Sequence, residues 1–285
     1  MANFLYSAFA DEAGGGILDQ IKALKDNKMS YIELRGLENG NISTYTASQA
    51  KELRKVLDAS GIGVSAIGSH YGKIEITDEF APHFEDFKNC VEVANIVGTK
   101  RIRMFSFFFT DDESKDEYRD VVFERIEKMC DYSLGNGIMC CHENEKAIYG
   151  DTAKDCYDLL TTFKGKLWGI FDPSNFIQCG VDILPAYDLL EDYIDYFHVK
   201  DCIYDGGKVR PAGKGDGHIV ELLRRFAQKD GDRFLTLEPH LKVFKGLEAL
   251  EANGAEKLRE DYTYPTNRDA FDAAASAMFD CIKQI

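Results

Sequence analysis

Short runs of β-branched, aromatic and other apolar residues recur along the chain. They start near Phe4, Tyr31, Gly63, Lys100, Gly137, Leu167, Ile194 and Phe234, so successive runs begin 27 to 40 residues apart. Between them the apolar positions follow the three-to-four spacing of a helix buried on one face, most plainly over 17–27, 46–60, 80–97, 118–135 and 152–163, and again over 268–285. Strands separated by crossovers of this length pair in parallel, with a right-handed return through each helix. Eight such units predict an α/β fold of the (β/α)8 TIM-barrel type, and 285 residues suit it. An open doubly wound sheet shares the periodicity. The count of eight favours closure, and Gly14-Gly15-Gly16 after the first run lacks the GxGxxG spacing of a dinucleotide fold. Ser60-Gly61, Val97-Gly98, Leu134-Gly135 and Lys164-Gly165 read as helix ends closed by a left-handed glycine. No low-complexity linker or Pro-rich hinge divides the chain, so one domain spanning 1–285 is expected, with an irregular segment beyond Glu248 before the last helix.

Composition narrows the setting. There is no apolar run of eighteen residues, and Met1 to Ala10 lacks the charged and long apolar regions of a secretory signal. Eight cysteines are scattered without a CxxC pair, five of them inside apolar stretches, which reads as reduced thiols in a cytoplasmic protein. Asp and Glu outnumber Lys and Arg by 49 to 34, and the net charge of −15 repels phosphate backbones. Nucleic acids and anionic membranes are therefore not expected as partners.

The chemistry gathers at the ends of the last four predicted strands: Glu143 in Cys-Cys-His-Glu, Asp172 in Phe-Asp-Pro, His198 in Phe-His-Val, and Glu238 in Leu-Glu-Pro. In a barrel these ends converge at one mouth, so residues 29, 26 and 40 positions apart can meet around one ion. Each follows an apolar run, where an unpaired ionised group is costly unless a partner or a metal compensates it. Taken singly, any of them could cap the next helix or make a surface salt bridge. Four on consecutive strands point to a shared divalent cation, and three carboxylates with one imidazole favour Mn²⁺, with Mg²⁺, Co²⁺ or Zn²⁺ as competitors.

In these motifs the sequence resembles the xylose isomerase-like sugar isomerases and epimerases, the AP-endonuclease-2-like TIM barrels. The marks are Ile32-Glu33-Leu34-Arg35, His142-Glu143-Asn144-Glu145-Lys146, Asp172-Pro173-Ser174-Asn175, His198-Val199-Lys200-Asp201 and Leu237-Glu238-Pro239, in this order over most of the chain. The resemblance implies one divalent metal on Glu143, Asp172, His198 and Glu238, with Glu143 and Glu238 as the acid/base pair. It implies a carbohydrate substrate whose carbonyl and hydroxyl oxygens chelate the metal, and proton transfer through an enediolate. It also implies homo-oligomers, since dimers and tetramers occur in the family. The same intermediate can instead expel a group, as in inosose dehydratases or keto-glycoside lyases. A non-catalytic metal-binding barrel and an endonuclease IV-like repair enzyme are the more distant readings; the latter needs a histidine-rich zinc cluster, and this chain has six histidines.

The chain departs from the ketose 3-epimerase pattern. Asn175 stands where a sugar-contacting histidine is usual, Tyr149 where a second glutamate is usual, and Arg210 follows the metal histidine only after a loop of different length. Asn175, Arg210 and His70 are the expected substrate contacts. The loop holding Lys208, Arg210, Lys214, Gly213, Gly215 and Gly217 reads either as a phosphate cradle or as a plain turn. Glu33 and Arg35 share a strand face and read as an ion pair at the barrel mouth, His142 as a core histidine, and His83 and His218 as exposed. The aromatic run from Phe105 to Phe109 reads as core, with a pocket wall as the alternative.

Overall fold

The structure, a computed structural model, describes residues 1–109, 115–243 and 264–285. Eight strands form one parallel sheet: β1 (Asn3–Ala8), β2 (Tyr31–Leu34), β3 (Gly63–Ile67), β4 (Arg101–Met104), β5 (Met139–Glu143), β6 (Leu167–Phe171), β7 (Ile194–Val199) and β8 (Asp232–Leu237). Each expected strand is present, with its start moved by two residues at most. Their order is β1-β8-β7-β6-β5-β4-β3-β2, so the last strand returns beside the first and the barrel is nearly closed. β1 runs in continuous register with β8, from Asn3 opposite Asp232 to Ala8 opposite Leu237.

The helices α1 (Ile17–Asp26), α2 (Ala47–Ser60), α3 (Phe80–Val97), α4 (Lys115–Gly135) and α5 (Ala153–Thr162) fill the predicted gaps. The interval between β6 and β7 holds two short helices that periodicity did not reveal, α6 (Pro173–Gln178) and α7 (Ile183–Leu190). α8 (Ile219–Phe226) follows His218, and α9 (Asn267–Ile282) is the expected last helix. The segment expected to be irregular after Glu248 lies, up to residue 263, outside the described residues. Among those described, no helix is long and apolar enough to cross a membrane.

Capping explains where the helices begin. Thr46 accepts from Gln49 N while the Gln49 side chain accepts from Thr46 N, a reciprocal capping box, and Thr266 with Asp269 repeats it at α9. Gly61 and Gly98 close α2 and α3 with φ of 69° and 81°, as expected. After α4 the left-handed residue is Gly137 and not Gly135, because the helix runs on through Gly135 before it turns. All eight cysteines are free thiols and seven are fully buried, packed as small apolar groups.

His83 is not exposed. It is partly buried on α3, where its Nε2 accepts the Gly72 N–H at 2.9 Å, and its ring lies edge-on to Tyr71. That bond requires a neutral ring. Burial first, then His70 and Arg125, pushes its pKa down to about 4, against the opposing pull of Asp86 and Asp78. An unfolded histidine binds a proton below about pH 6.5, so this site favours the folded state above that pH and loses the advantage as pH falls towards 4. Allowing for partial exposure, the loss is on the order of 1–2 kcal/mol. His83→Gln keeps an acceptor without the titration. The stability advantage of the wild type over this variant should therefore shrink when chemical unfolding is repeated from neutral pH down to about 4.5, and parallel curves would show that His83 does not titrate on unfolding.

Candidate metal centre at the barrel mouth

β5, β6, β7 and β8 bring Glu143, Asp172, His198 and Glu238 to one place: one ligand atom from each lies within 4.8 Å of all the others, and all four residues are buried. The fold accounts for each position. Glu143 is the last residue of β5, and Asp172 directly follows β6 as the N-cap of α6, its Oδ1 accepting from Asn175 N at 2.9 Å. Glu238 directly follows β8, while His198 is one residue from the end of β7. Asn144 locks two of these ends together, its side chain accepting from Asp172 N and donating to Asp172 O.

The His198 ring is held at both nitrogens. Nδ1 lies 2.7 Å from Glu143 Oε1 and 3.6 Å from Glu238 Oε2, so it faces the carboxylates; Nε2 lies 3.3 Å from Glu33 Oε2. Glu33 also accepts from Tyr196 OH at 3.1 Å. A carboxylate behind a histidine fixes the ring and raises its basicity, as metal-site imidazoles require. The expected Glu33–Arg35 pairing is thus replaced by a different division of labour. Arg35 contacts Asp11, Glu12 and Glu238 at 2.9, 3.0 and 3.1 Å.

Burial and neighbouring charges oppose each other at all four groups. Burial disfavours the Glu143 carboxylate, but His198 and Arg103 outweigh it and hold its pKa down to about 2. Glu238 is likewise buried, yet it is kept well below the ordinary carboxylate range by Lys200, His240 and His198. At Asp172 burial prevails, and its pKa rises to about 8 despite Lys200. Asp172 Oδ2 has no hydrogen bond, since the Lys200 ammonium 2.8 Å away lies outside hydrogen-bond geometry. Burial opposes charge on His198, but Glu143 and Glu33 overcome it and raise its pKa to about 10. The buried carboxyl groups Glu12, Glu33, Glu143, Asp172 and Glu238 outnumber the buried cations Arg35, Arg103, Lys200 and His198. An acceptor left without a hydrogen bond, a surplus of carboxyl groups over cations out of water and a donor set of three carboxyl groups and one imidazole all fit a divalent ion.

A small cleft of about 20 Å³ lies beside these groups, lined by Lys73, Arg103, Glu143, Glu145, Lys146, Asn175, Lys200, Glu238 and His240. Asn175, expected from sequence, is in this lining and donates to Asn144 O at 2.9 Å. His70 and Arg210 are not. His70 stacks on Tyr71 with Ser43 Oγ 3.4 Å from its Nδ1, while Arg210 sits opposite Asp201 in a small hairpin. Tyr149 is buried and donates to Asp158. His142 is a core histidine 3.0 Å from Ser106 Oγ, and His218 is exposed. Phe105 and Phe107 are buried, with Phe105 under the Lys73 ammonium at 4.3 Å. Sequence reading missed Arg103, Lys200 and His240. Lys200 stood in a recognised motif, and Arg103 was signalled by the Arg-Ile-Arg-Met alternation of β4, which turns two arginines to one face.

A family model for xylose isomerase-like TIM barrels matches residues 21–261. The chain belongs to this family. Solved structures share its fold throughout. The IOLI protein with a binding zinc atom superposes with a TM-score of 0.73 at 15% identity, covering 99% of this chain and 98% of that one. The probable 3-DHS dehydratase AsbF from Bacillus anthracis gives 0.73 at 17%, covering 98% and 99%. An L-ribulose 3-epimerase gives 0.71 at 14%, covering 100% and 97%. No curated protein sequence matches the chain.

The glycine loop after β7 is not a phosphate cradle. The Asp201 carboxylate itself accepts from the N–H groups of Gly213, Gly215 and Gly217 at 2.9, 3.0 and 2.9 Å, so an internal anion takes the donors that a phosphate would need. The glycines permit this approach: a Cβ on Gly215 would stand 2.4 Å from Asp201 Oδ1. Asp201→Ala should lower the unfolding free energy by about 2–4 kcal/mol in urea titrations, because three amides lose their acceptor together. An unchanged midpoint would mean that the loop holds itself without Asp201.

Proposed function

We propose that this chain is a divalent-metal-dependent isomerase or epimerase of a sugar or related polyol-derived ketone. The observation that carries the reading is the convergence of Glu143, Asp172, His198 and Glu238 within 4.8 Å, with Glu143 and Glu238 lining a polar cleft. Those four residues would hold the ion, and the oxygen-rich donor set favours Mn²⁺, with zinc, present in the IOLI structure, as a competitor. Bound there, the ion supplies Lewis acidity towards the oxygens of an α-hydroxyketone.

Glu143 and Glu238 both line the cleft and both remain ionised at neutral pH, so either can accept a proton from substrate carbon. Glu143 is a weak base while His198 and Arg103 hold it. Drawing the His198 Nδ1 bond away raises its proton affinity towards that of a working base. Glu33 then keeps the ring in place through Nε2. Asn175, donating 3.5 Å from Glu143 Oε1, is placed to contact a substrate hydroxyl beside the base. The whole chain serves as one barrel in this reading.

The second reading is dehydratase or lyase chemistry after the same proton abstraction. It is favoured by the AsbF likeness, which matches the epimerase likeness in extent. Incubation with candidate ketoses and inososes in heavy water, followed by NMR, separates the two: C–H to C–D exchange with the skeleton retained marks isomerisation, and loss of water or alcohol marks elimination.

Elemental analysis tests the centre directly. The wild type should carry about one divalent ion per chain, and Glu238→Gln and His198→Ala should each lower the occupancy at least tenfold at limiting metal. Occupancy unaffected by either substitution would sink the four-residue assignment and the function built on it.

A further inference from the structure

Arg103 belongs to β4, a strand that contributes none of the four clustered residues, and it is 2% exposed. Its Nε donates to Ser69 O at 3.3 Å, and its Nη1 donates to Glu143 Oε2 at 3.0 Å and lies 4.0 Å from Glu238 Oε1. The second arm, Nη2, is buried and has no hydrogen-bond partner. The guanidinium carbon stands 4.9 Å from the Phe9 ring centroid and 5.0 Å from that of Phe105, so two aromatic rings flank it. A buried guanidinium donor left unmade is costly, and with Nε and Nη1 already tied to Ser69 and Glu143, Nη2 is the one arm without a partner in a residue that lines the cleft.

Resting on the function proposed above, we infer that Arg103 is a substrate-binding residue, whose Nη2 arm donates to an oxygen of the bound ketone beside Glu143. The two Nη arms then divide the task. Nη1 orients the carboxylate that exchanges the proton, and Nη2 meets the substrate oxygen on which negative charge builds as that proton leaves carbon. The residue lines the cleft together with Lys73, Lys146 and Lys200, of which Lys73 and Lys200 are already paired with Glu145, Asp172 and Glu238.

The distinguishing substitution is Arg103→Lys. A lysine ammonium can keep an ion pair with Glu143 but cannot serve two separated positions as a planar fork does. Arg103→Met removes both contacts and reports on folding and on the Glu143 pairing. The probe is glycolohydroxamate, a planar chelating mimic of an enediolate, titrated calorimetrically into Mn²⁺-loaded protein, with metal content and thermal midpoint measured on the same samples. The expected result is wild-type metal content in Arg103→Lys with hydroxamate binding weakened roughly tenfold or more. Equal hydroxamate affinity in wild type and Arg103→Lys, at equal metal content, would overturn the role of Nη2 while leaving the metal centre intact. A wild-type protein that takes up metal but binds no hydroxamate would overturn the inference together with the ketone reading. One that takes up no metal would remove the centre itself.

Discussion

At the mouth of this barrel more carboxyl groups than cations are buried out of water, and the neighbouring side chains are arranged around that surplus. Glu143, Asp172 and Glu238 are all nearly inaccessible to water, and so is the imidazole between them. In so dry a setting each ionised carboxylate must be met by a donor or a cation, or it takes up a proton, as the raised pKa of Asp172 shows. The surrounding residues share that task. Arg35, Arg103 and Lys200 each contact at least one of these carboxylates, and Glu33 holds the far side of His198.

Phe9 is central to this arrangement. It follows β1 and is fully buried, with Arg35 4.1 Å and Arg103 4.9 Å from its ring centroid and His198 edge-on at 5.1 Å. The ring attracts both guanidiniums, which share one carboxylate, Glu238, at 3.1 and 4.0 Å. Gly68 makes room for it, since a Cβ there would stand 2.4 Å from Phe9 Cε1. A glycine at the end of β3 and an aromatic after β1 thus set the positions of charges that belong to β2 and β4.

The loop after β7 shows how one motif can serve stability next to a site of chemistry. In His198-Val199-Lys200-Asp201 the histidine faces the carboxylate cluster, and the lysine reaches Asp172 and Glu238. The aspartate turns to the glycine loop and ties it down through three amides. A loop held from inside in this way keeps the lysine at the cleft edge without a ligand.

The barrel and the four residues clustered at its mouth were legible in the order of the amino acids. A period of strand and helix repeated eight times leaves few topologies, and in a parallel barrel every strand ends at the same mouth, so Glu143, Asp172, His198 and Glu238 could be placed together from their positions alone. The short helices α6 and α7 escaped notice because they carry too few turns for a periodic signal. Which side chains meet across strands depends on packing that the order of residues does not reveal. Glu33 in β2 and Arg35 just beyond its end lie two apart, yet they serve His198 and Glu238 separately, because each meets a different neighbour across the barrel. Asp201 and its glycines are twelve to sixteen residues apart, and no local rule predicts that the loop closes on its own acid in place of a phosphate. The alternation of β4 hinted at Arg103, but its partner did not show in the sequence, because Glu143 lies forty residues on and meets it only across the closed barrel.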